Sequence, residues 1–397
     1  MALLEARELK RQYELLGPDE CKRQLSEALR EKHLRAEDFS IRDLFEGLVP
    51  DGDRILKAWS NHKRHSQQVL EAANAVDTSA FTNITGQIIY NKILEGYENP
   101  ALIWPDLFET LNTVFLDNER LPGIGGTGDV AEVVDQGQPY PTVGLNEEYV
   151  DFGPALKRGF ILPITREIVI ADRTGLLLQR SSEAGFNYLG INMEKRALDV
   201  VLTNITAGRY TRNGTATNTF LTSGGYINDQ SSNTLTSWRS LENAELLFDA
   251  ITDPNTGEPI ICAGEMVMVV PTALKMTALR ILDVTDIGAV DNTAAATTVR
   301  QYGPNPIRSG KMVHATGVKV VSSAYVKART SSASKWFYGQ PKRSFLKRTV
   351  WEIETEQAPS GAASEAQFTN DIWMRHKFSE MSMFGIQNPR YWTRNDT

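Results

Sequence analysis

The chain has 397 residues, and its 42 lysines and arginines against 49 aspartates and glutamates give a formal net charge of −7. That length allows two or three domains with a real core, and the acidic balance argues against a chain whose main task is to grip nucleic acid. Cys21 and Cys262 lie too far apart in sequence to read as a metal or redox pair, and with a charged start and no eighteen-residue apolar run the expectation is a soluble protein made in a reducing compartment.

Residues 1 to about 75 are dense in both charge signs and nearly free of β-branched residues, which predicts helices. One runs from about Leu3 to Leu16. Gly17-Pro18 ends it and starts another, with Asp19 and Glu20 in its first turn and Arg30 and Lys32 in its last, where each sign suits the helix dipole. A third follows Ser40, with Ile41, Leu44, Phe45 and Leu48 on one face. The segment reads equally as an appended arm and as a small helical domain. From Phe81 to Phe115, aromatics and leucines around Asn99-Pro100 and Trp104-Pro105 predict helices joined by a turn, with Leu107, Leu111 and Val114 facing inward.

Next comes a glycine-rich bend, Gly123-Ile-Gly125-Gly126-Thr-Gly128, and then a polar two-stranded excursion to about Gly159. Its first arm is Asp129-Val-Ala-Glu-Val-Val-Asp135 and its return arm Tyr149-Val-Asp-Phe-Gly-Pro-Ala-Leu156, both short and interleaved with acids. A two-stranded ribbon alone is marginal in water, so this one calls for a neighbour. Phe160 to Ile164 and Thr165 to Ile170 follow as a buried-looking run, then Asp172 as an N-cap. Beyond it Leu178, Ser182, Phe186, Leu189, Met193, Ala197 and Val200 recur at helical steps. Some thirty helical residues would make a rod of roughly 45 Å.

Residues 205 to 238, rich in Thr, Asn, Ser and Gly, predict short strands and loops with turns at Asn213-Gly214 and Gly224-Gly225. Ser240 opens a helix with Leu241, Ala244, Phe248 and Ile251 on one face. Asp253 to Gly257 turns the chain, Glu265 to Val270 is a buried strand, and Pro271 starts another helix to about Leu282. Residues 285 to 311 read as a loop. The last eighty residues are β again, at Val318 to Val321, Lys335 to Tyr338, Trp351 to Thr355 and Thr369 to Phe378.

Chemical motifs are weak. Gly123 to Gly128 fits G-x-G-x-x-G, with Glu147 and Glu148 some twenty residues on, but no strand precedes it and no helix follows, so no helix N-terminus is there to hold a pyrophosphate. A hinge at the root of the ribbon fits better. His62 and His65 sit beside Lys63 and Arg64, which repel a cation. His314 and His376 fall in strand-like segments and read as structural. Asp253 to Glu258 lacks the length and terminal acid of a calcium loop. No hydrolase elbow or zinc-protease signature is present; no metal, cofactor or catalytic group is implied. Lys342, Arg343, Lys347 and Arg348 form a basic cluster that is a solvated strand edge, a contact for a neighbouring subunit's acids, or a contact for nucleic-acid phosphates.

The order of parts resembles the major capsid proteins of tailed bacteriophages, the Hong Kong 97-type α+β fold shared with encapsulins. The residues that carry the likeness are the glycine-rooted extension, the run Leu162-Pro-Ile-Thr-Arg-Glu-Ile-Val-Ile-Ala-Asp172 leading into the long helix, Met266-Val-Met-Val-Val-Pro271 before a helix, and a tail with Lys335-Trp-Phe-Tyr-Gly-Gln-Pro and Phe368-Thr-Asn-Asp-Ile-Trp-Met-Arg. It spans about residues 75 to 397. The resemblance implies an N-terminal arm, 1–75 as a segment akin to a fused scaffold and 76–117 as its continuation. It implies an extended loop at 118–160 that reaches over an adjacent subunit, and a peripheral domain of 161–204 and 331–397 with a spine helix at 174–203. The axial domain would be 205–330. Function, by the same resemblance, is self-assembly of hexamers and pentamers into an icosahedral virion shell around double-stranded DNA, made in the host cytoplasm. Portal, scaffold or decoration proteins would be partners, the DNA would be touched non-specifically, and no membrane or reaction would be involved. Asp129, Glu132, Asp135, Glu147 and Glu148 are the candidates for pairing with Lys195 or Arg196 on a neighbouring spine. An encapsulin-like compartment and a nucleotide-dependent enzyme using Gly123 to Gly128 stand as the alternatives.

Overall fold

The computed structural model describes residues 40–49, 52–60, 78–123, 133–138, 140, 148–171, 180, 181, 183–206, 209–291, 299–305, 307, 314–358 and 372–396, with positions 11, 15, 20, 23, 24 and 27 described singly as helical. It divides into two compact units, residues 1–100, 157–192 and 351–381 in the first and 101–156, 193–350 and 382–397 in the second. No helix among the described residues is long and apolar enough to cross a membrane.

Along the chain the strands are β1 (Glu109–Asn112), β2 (Glu119–Pro122), β3 (Tyr149–Phe152), β4 (Leu156–Thr165), β5 (Tyr210–Arg212), β6 (Thr215–Thr217), β7 (Asp229–Gln230), β8 (Gly264–Pro271), β9 (Asp286–Asp291), β10 (Val299–Pro304), β11 (Ala315–Ser323), β12 (Trp336–Gly339), β13 (Phe345–Ala358), β14 (Ile372–Ile386) and β15 (Trp392–Asn395). They form a four-stranded sheet in the order β1-β13-β14-β4, a five-stranded sheet β11-β8-β12-β15-β7, a four-stranded sheet β2-β3-β5-β6 and the hairpin β9-β10. Helices and sheets together make the α+β class expected from the sequence.

In the first unit the helix Ile41–Leu48 begins as predicted, because the Ser40 hydroxyl accepts from the Asp43 amide at 3.0 Å and satisfies one of the open N-terminal donors. Ile41, Leu44 and Phe45 are fully buried. The helix Thr78–Tyr97 buries Ile88, Ile89 and Ile93, and Tyr90 donates to the Ile353 carbonyl at 3.2 Å. Gly159 is small for a reason: a Cβ there would stand 2.2 Å from the Phe378 carbonyl oxygen, so β4 and β14 approach closely at that point.

The long helix departs from its expected form. Thr165 to Ile170 is not a buried extended run: Arg166–Ala171 is already helical, so helix begins ahead of Asp172, which itself lies outside the described residues. Positions 180, 181, 183 and 184 are helical, Gly185–Gly190 winds as a π-helix, and Ile191–Leu202 continues as α-helix. A Cβ at Gly185 would meet the Ile93 carbonyl at 2.5 Å, so the π segment sits where another helix crosses closely.

In the second unit the core lies on the five-stranded sheet. Met266, Met268 and Val270 of β8, with Trp336 and Tyr338 of β12, bury one face against Leu241, Ala244 and Phe248 of the helix Trp238–Asp249 and Ala278 and Ile281 of the helix Thr272–Asp283. β8 and β11 are parallel, as a strand, helix and returning strand require. Phe337 stacks on Trp392, whose indole Nε1 donates to the Val201 carbonyl at 3.1 Å. Asn213-Gly214 forms the predicted hairpin turn between β5 and β6, both residues at positive φ.

Three expectations are corrected here. Residues 109–112 form an exposed strand rather than a helix; Leu107 faces inward, whereas Leu111 is 36% and Val114 85% exposed. Residues 286–291 and 299–304 pair as an antiparallel hairpin where a loop was expected. Ser237, not Ser240, precedes the helix at 238–249, and Ser240 is buried, its hydroxyl donating to the Thr234 carbonyl at 2.6 Å. Separately, strands β12 and β15, which the resemblance groups with 161–204, hydrogen-bond into the sheet of β8 and β11.

Candidate assembly surface

The root of the extension is a sheet. β2 pairs antiparallel with β3 from Glu119↔Phe152 to Pro122↔Tyr149, and β3 pairs with β5 at Val150↔Arg212. Val150 and Phe152 turn inward and are buried, while Tyr149 and Asp151 alternate outward beside Arg120, whose guanidinium bonds Asp151 at 3.1 Å and lies 4.5 Å from the Tyr149 ring centroid. The return arm therefore does contribute to its own subunit's core, against the expectation for the whole excursion. Its described strand partners are 119–122 and 210–212, and 129–132 of the expected first arm lie outside the described residues. Residues 133–135 are described and are not strand; Val133 is 97% and Tyr140 83% exposed.

Of the acids expected to reach a neighbouring spine, Asp135 is exposed, and Asp129, Glu132 and Glu147 lie outside the described residues. Glu148 is engaged at home. Its carboxylate pairs with Arg212, whose Nη2 also bonds the Asn255 side chain at 2.7 Å, and its backbone carbonyl accepts from the Gly123 amide at 2.8 Å. Glu148 thus holds the neck of the extension closed. Gly123 is packed against Glu148, with the Glu148 Cβ 2.8 Å from where its own would stand. Gly125, Gly126 and Gly128 lie outside the described residues.

On the long helix, Lys195 and Arg196 are half-buried and lie over aromatic rings, Lys195 at 5.3 Å from Tyr325 and Arg196 at 5.6 Å from Phe384. Glu194 beside them is buried, and its Oε2 accepts from the amides of Ile103 and Trp104 at 3.0 and 3.1 Å, capping the short helix Trp104–Leu107. Burial pushes the Glu194 pKa up, and those two hydrogen bonds oppose the shift.

The basic cluster comes apart into separate roles. Lys342 is exposed. Arg343 stacks 3.9 Å from the Tyr391 ring centroid and donates to Gln340 Oε1 at 3.0 Å. Lys347 is buried, its ammonium 4.4 Å from the Trp104 ring centroid. Arg348 is fully buried: Nη2 donates to the Asp117 carbonyl at 2.8 Å and the Phe115 carbonyl at 3.4 Å, and Nη1 lies 3.4 Å from Glu119. Desolvation lowers its pKa, which Glu119 counteracts. Lys347 and Arg348 are therefore internal fasteners rather than a solvated strand edge.

Arg348 fastens a feature that sequence reasoning missed. The turn 113–119 is held from below by that guanidinium and across by the Thr113 hydroxyl, which donates to Glu119 Oε2 at 2.9 Å. Upward it displays Val114, Phe115 and Leu116 at 85%, 60% and 51% exposure. Scattered exposed apolar residues are ordinary, but three in a row on a braced turn are not. A run such as Thr-Val-Phe-Leu looks the same buried or exposed, because periodicity is silent over so few residues. His314, in the bend before β11, pairs with Asp249, and His376 in β14 is buried beside Met374. Among the described residues no group of acids, histidines and cysteines is placed to hold a metal.

In the comparisons with solved structures, a virus-like particle from Pyrococcus furiosus superposes at TM-score 0.41 with 12% identity, over 78% of this chain and 98% of that one. A protein of Mycobacterium phage Che8 gives 0.40, 12%, 74% and 90%, and one of Gordonia phage Cozz 0.41, 10%, 74% and 85%. No curated protein matches in sequence. What carries the assignment is a family model described as phage capsid protein, which matches residues 153–395, more than half of the chain, and on that ground the chain belongs to the phage capsid protein family.

Proposed function

We propose that this capsid-family chain is a major capsid protein of the Hong Kong 97 type, a structural subunit with no reaction of its own, whose copies close into an icosahedral shell around viral double-stranded DNA in the virion. In this reading the segment between Gly123 and Glu148 reaches over an adjacent copy, with Asp129, Glu132, Asp135 and Glu147 as its acids. The body comprises a peripheral part on the helix ending at Leu202 and an axial part around 205–330. Residues 1–75 act as an arm or a scaffold-like segment. Portal, scaffold and decoration proteins, and assembly in host cytoplasm, belong to the same proposal.

The observation that supports it best is the contrast within the extension. Its root is paired and packed, whereas Val133 and Tyr140 further out are left almost wholly in solvent. Apolar groups held out in this way gain stability when a second molecule covers them. Each surface ion pair adds only about 0 to 1 kcal/mol, so repetition around a shell would supply the total.

Sedimentation velocity on the purified chain tests the proposal. Fast-sedimenting closed particles are expected, and loss of them with a folded monomer is expected for Asp135→Lys combined with Glu147→Lys. Particles unaffected by that double change would remove the extended acids from the contact. Nucleic acid recovered inside particles from infected cells separates the phage reading from the encapsulin-like one, whose cargo is protein.

A further inference from the structure

We infer that the braced turn at 111–117 docks on the outward face of the helix Thr272–Asp283 of a second copy of this chain. The inference rests on the shell reading and deepens it by naming two surfaces.

The first surface is apolar with an acidic rim. Leu111, Val114, Phe115 and Leu116 are exposed, and Glu109 and Asp117 flank them, both exposed. Its shape is fixed before any partner arrives, since β1 is paired in parallel with β13 from Glu109↔Leu346 to Asn112↔Thr349 and Arg348 holds the carbonyls of Phe115 and Asp117. A contact surface ordered in advance loses little entropy on binding.

The second surface is apolar with a basic rim. The helix at 272–283 buries Ala278 and Ile281 against its sheet, which turns Met276, 70% exposed, and Leu279, 39% exposed, outward one turn apart. Lys275 and Arg280 are exposed beside them, and the helix's one acid, Asp283, is its last residue. Two exposed apolar patches with rims of opposite charge match in both chemistry and sign. They are different patches of one chain, so the contact is head-to-tail: each copy offers a turn to one neighbour and a helix to another, and such contacts build rings or lattices rather than isolated pairs.

The test is a charge exchange read by sedimentation velocity, with circular dichroism to check folding. Lys275→Glu with Arg280→Glu, in an otherwise unaltered chain, is expected to abolish particles. Glu109→Lys with Asp117→Lys is expected to do the same. The four changes together in one chain are expected to restore particles at a tenth or more of the unaltered yield. Either double variant assembling at the unaltered yield, or failure of the fourfold variant to rescue, overturns the docking while leaving the shell reading intact. An unaltered chain that stays monomeric at high concentration overturns both.

Discussion

The five-stranded sheet and the turn at 113–119 belong to one compact unit, yet they satisfy their chemistry in opposite ways. Around the sheet the buried amides and indoles find their partners inside the unit. The Asn228 amide lies within 3.2 Å of the carbonyls of Thr219, Pro389 and Trp392, the Asn233 amide bonds Ser240 and Asn395, and the Trp336 indole donates to the Asn233 carbonyl. At the turn the backbone carbonyls of Phe115 and Asp117 also face inward, onto Arg348, but the apolar side chains face water. A place that pairs its backbone polar groups and exposes its apolar side chains inverts the usual arrangement, and covering those side chains would be favourable. Stability and assembly should therefore separate by mutation.

Trp392→Ala should give the largest loss, about 3 to 5 kcal/mol in urea unfolding, because it empties a large buried site and leaves the Val201 carbonyl without its donor. A loss below about 1 kcal/mol would show that β15 contributes little to the core. The pH dependence should be next. Burial lowers the His376 pKa from 6.5 to about 4, so the unfolded chain binds the proton first on acidification. Its contribution is complete above pH 6.5 and is lost as pH falls toward 4, by about 3 kcal/mol. Glu194 works in the opposite sense, since its raised pKa makes the fold take up a proton more readily than the unfolded chain just above the ordinary carboxyl range. Comparing urea midpoints at pH 7.5 and 4.5 for the native chain and for His376→Met isolates the histidine: the difference should shrink in the variant.

Arg348→Leu should cost about 2 kcal/mol through the carbonyls of Phe115 and Asp117 that lose a donor. Hydrogen exchange should then rise in 113–119 and stay unchanged in β8; equal acceleration in both would mean that the arginine braces the whole unit rather than the turn. Phe115→Ser should be the smallest in stability, within about 0.5 kcal/mol, and should still prevent particle formation. Normal particles from that variant would leave the exposed turn without a role.

Where local chemistry decides structure, the sequence was readable. Ser40 before Ile41, Leu44, Phe45 and Leu48 at helical spacing marks a helix start, Asn213-Gly214 dictates a hairpin turn, and Glu265 to Val270 followed by Pro271 and a helical pattern reads as a buried strand and the helix after it. Where distant partners decide, it was not. Arg166-Glu-Ile-Val-Ile is rich in β-branched residues and is helical nonetheless, a case of context overriding propensity. Trp392 to Asn395 is too short to show a period, and its strand exists because β12 and β7 lie on either side. Arg348 looked like surface charge because four basic residues close in sequence usually are, and nothing local announces the two carbonyls that claim it. The family could be recognised from the order of parts, whereas the exposed turn became visible only once burial was known residue by residue.

Negative-stain electron microscopy of the purified chain tests most directly the idea that surfaces left uncovered in one copy are covered by the next. Closed, uniform shells are expected for the native chain, and dispersed single subunits for Phe115→Ser at the same concentration. Native protein that shows only single subunits would contradict it.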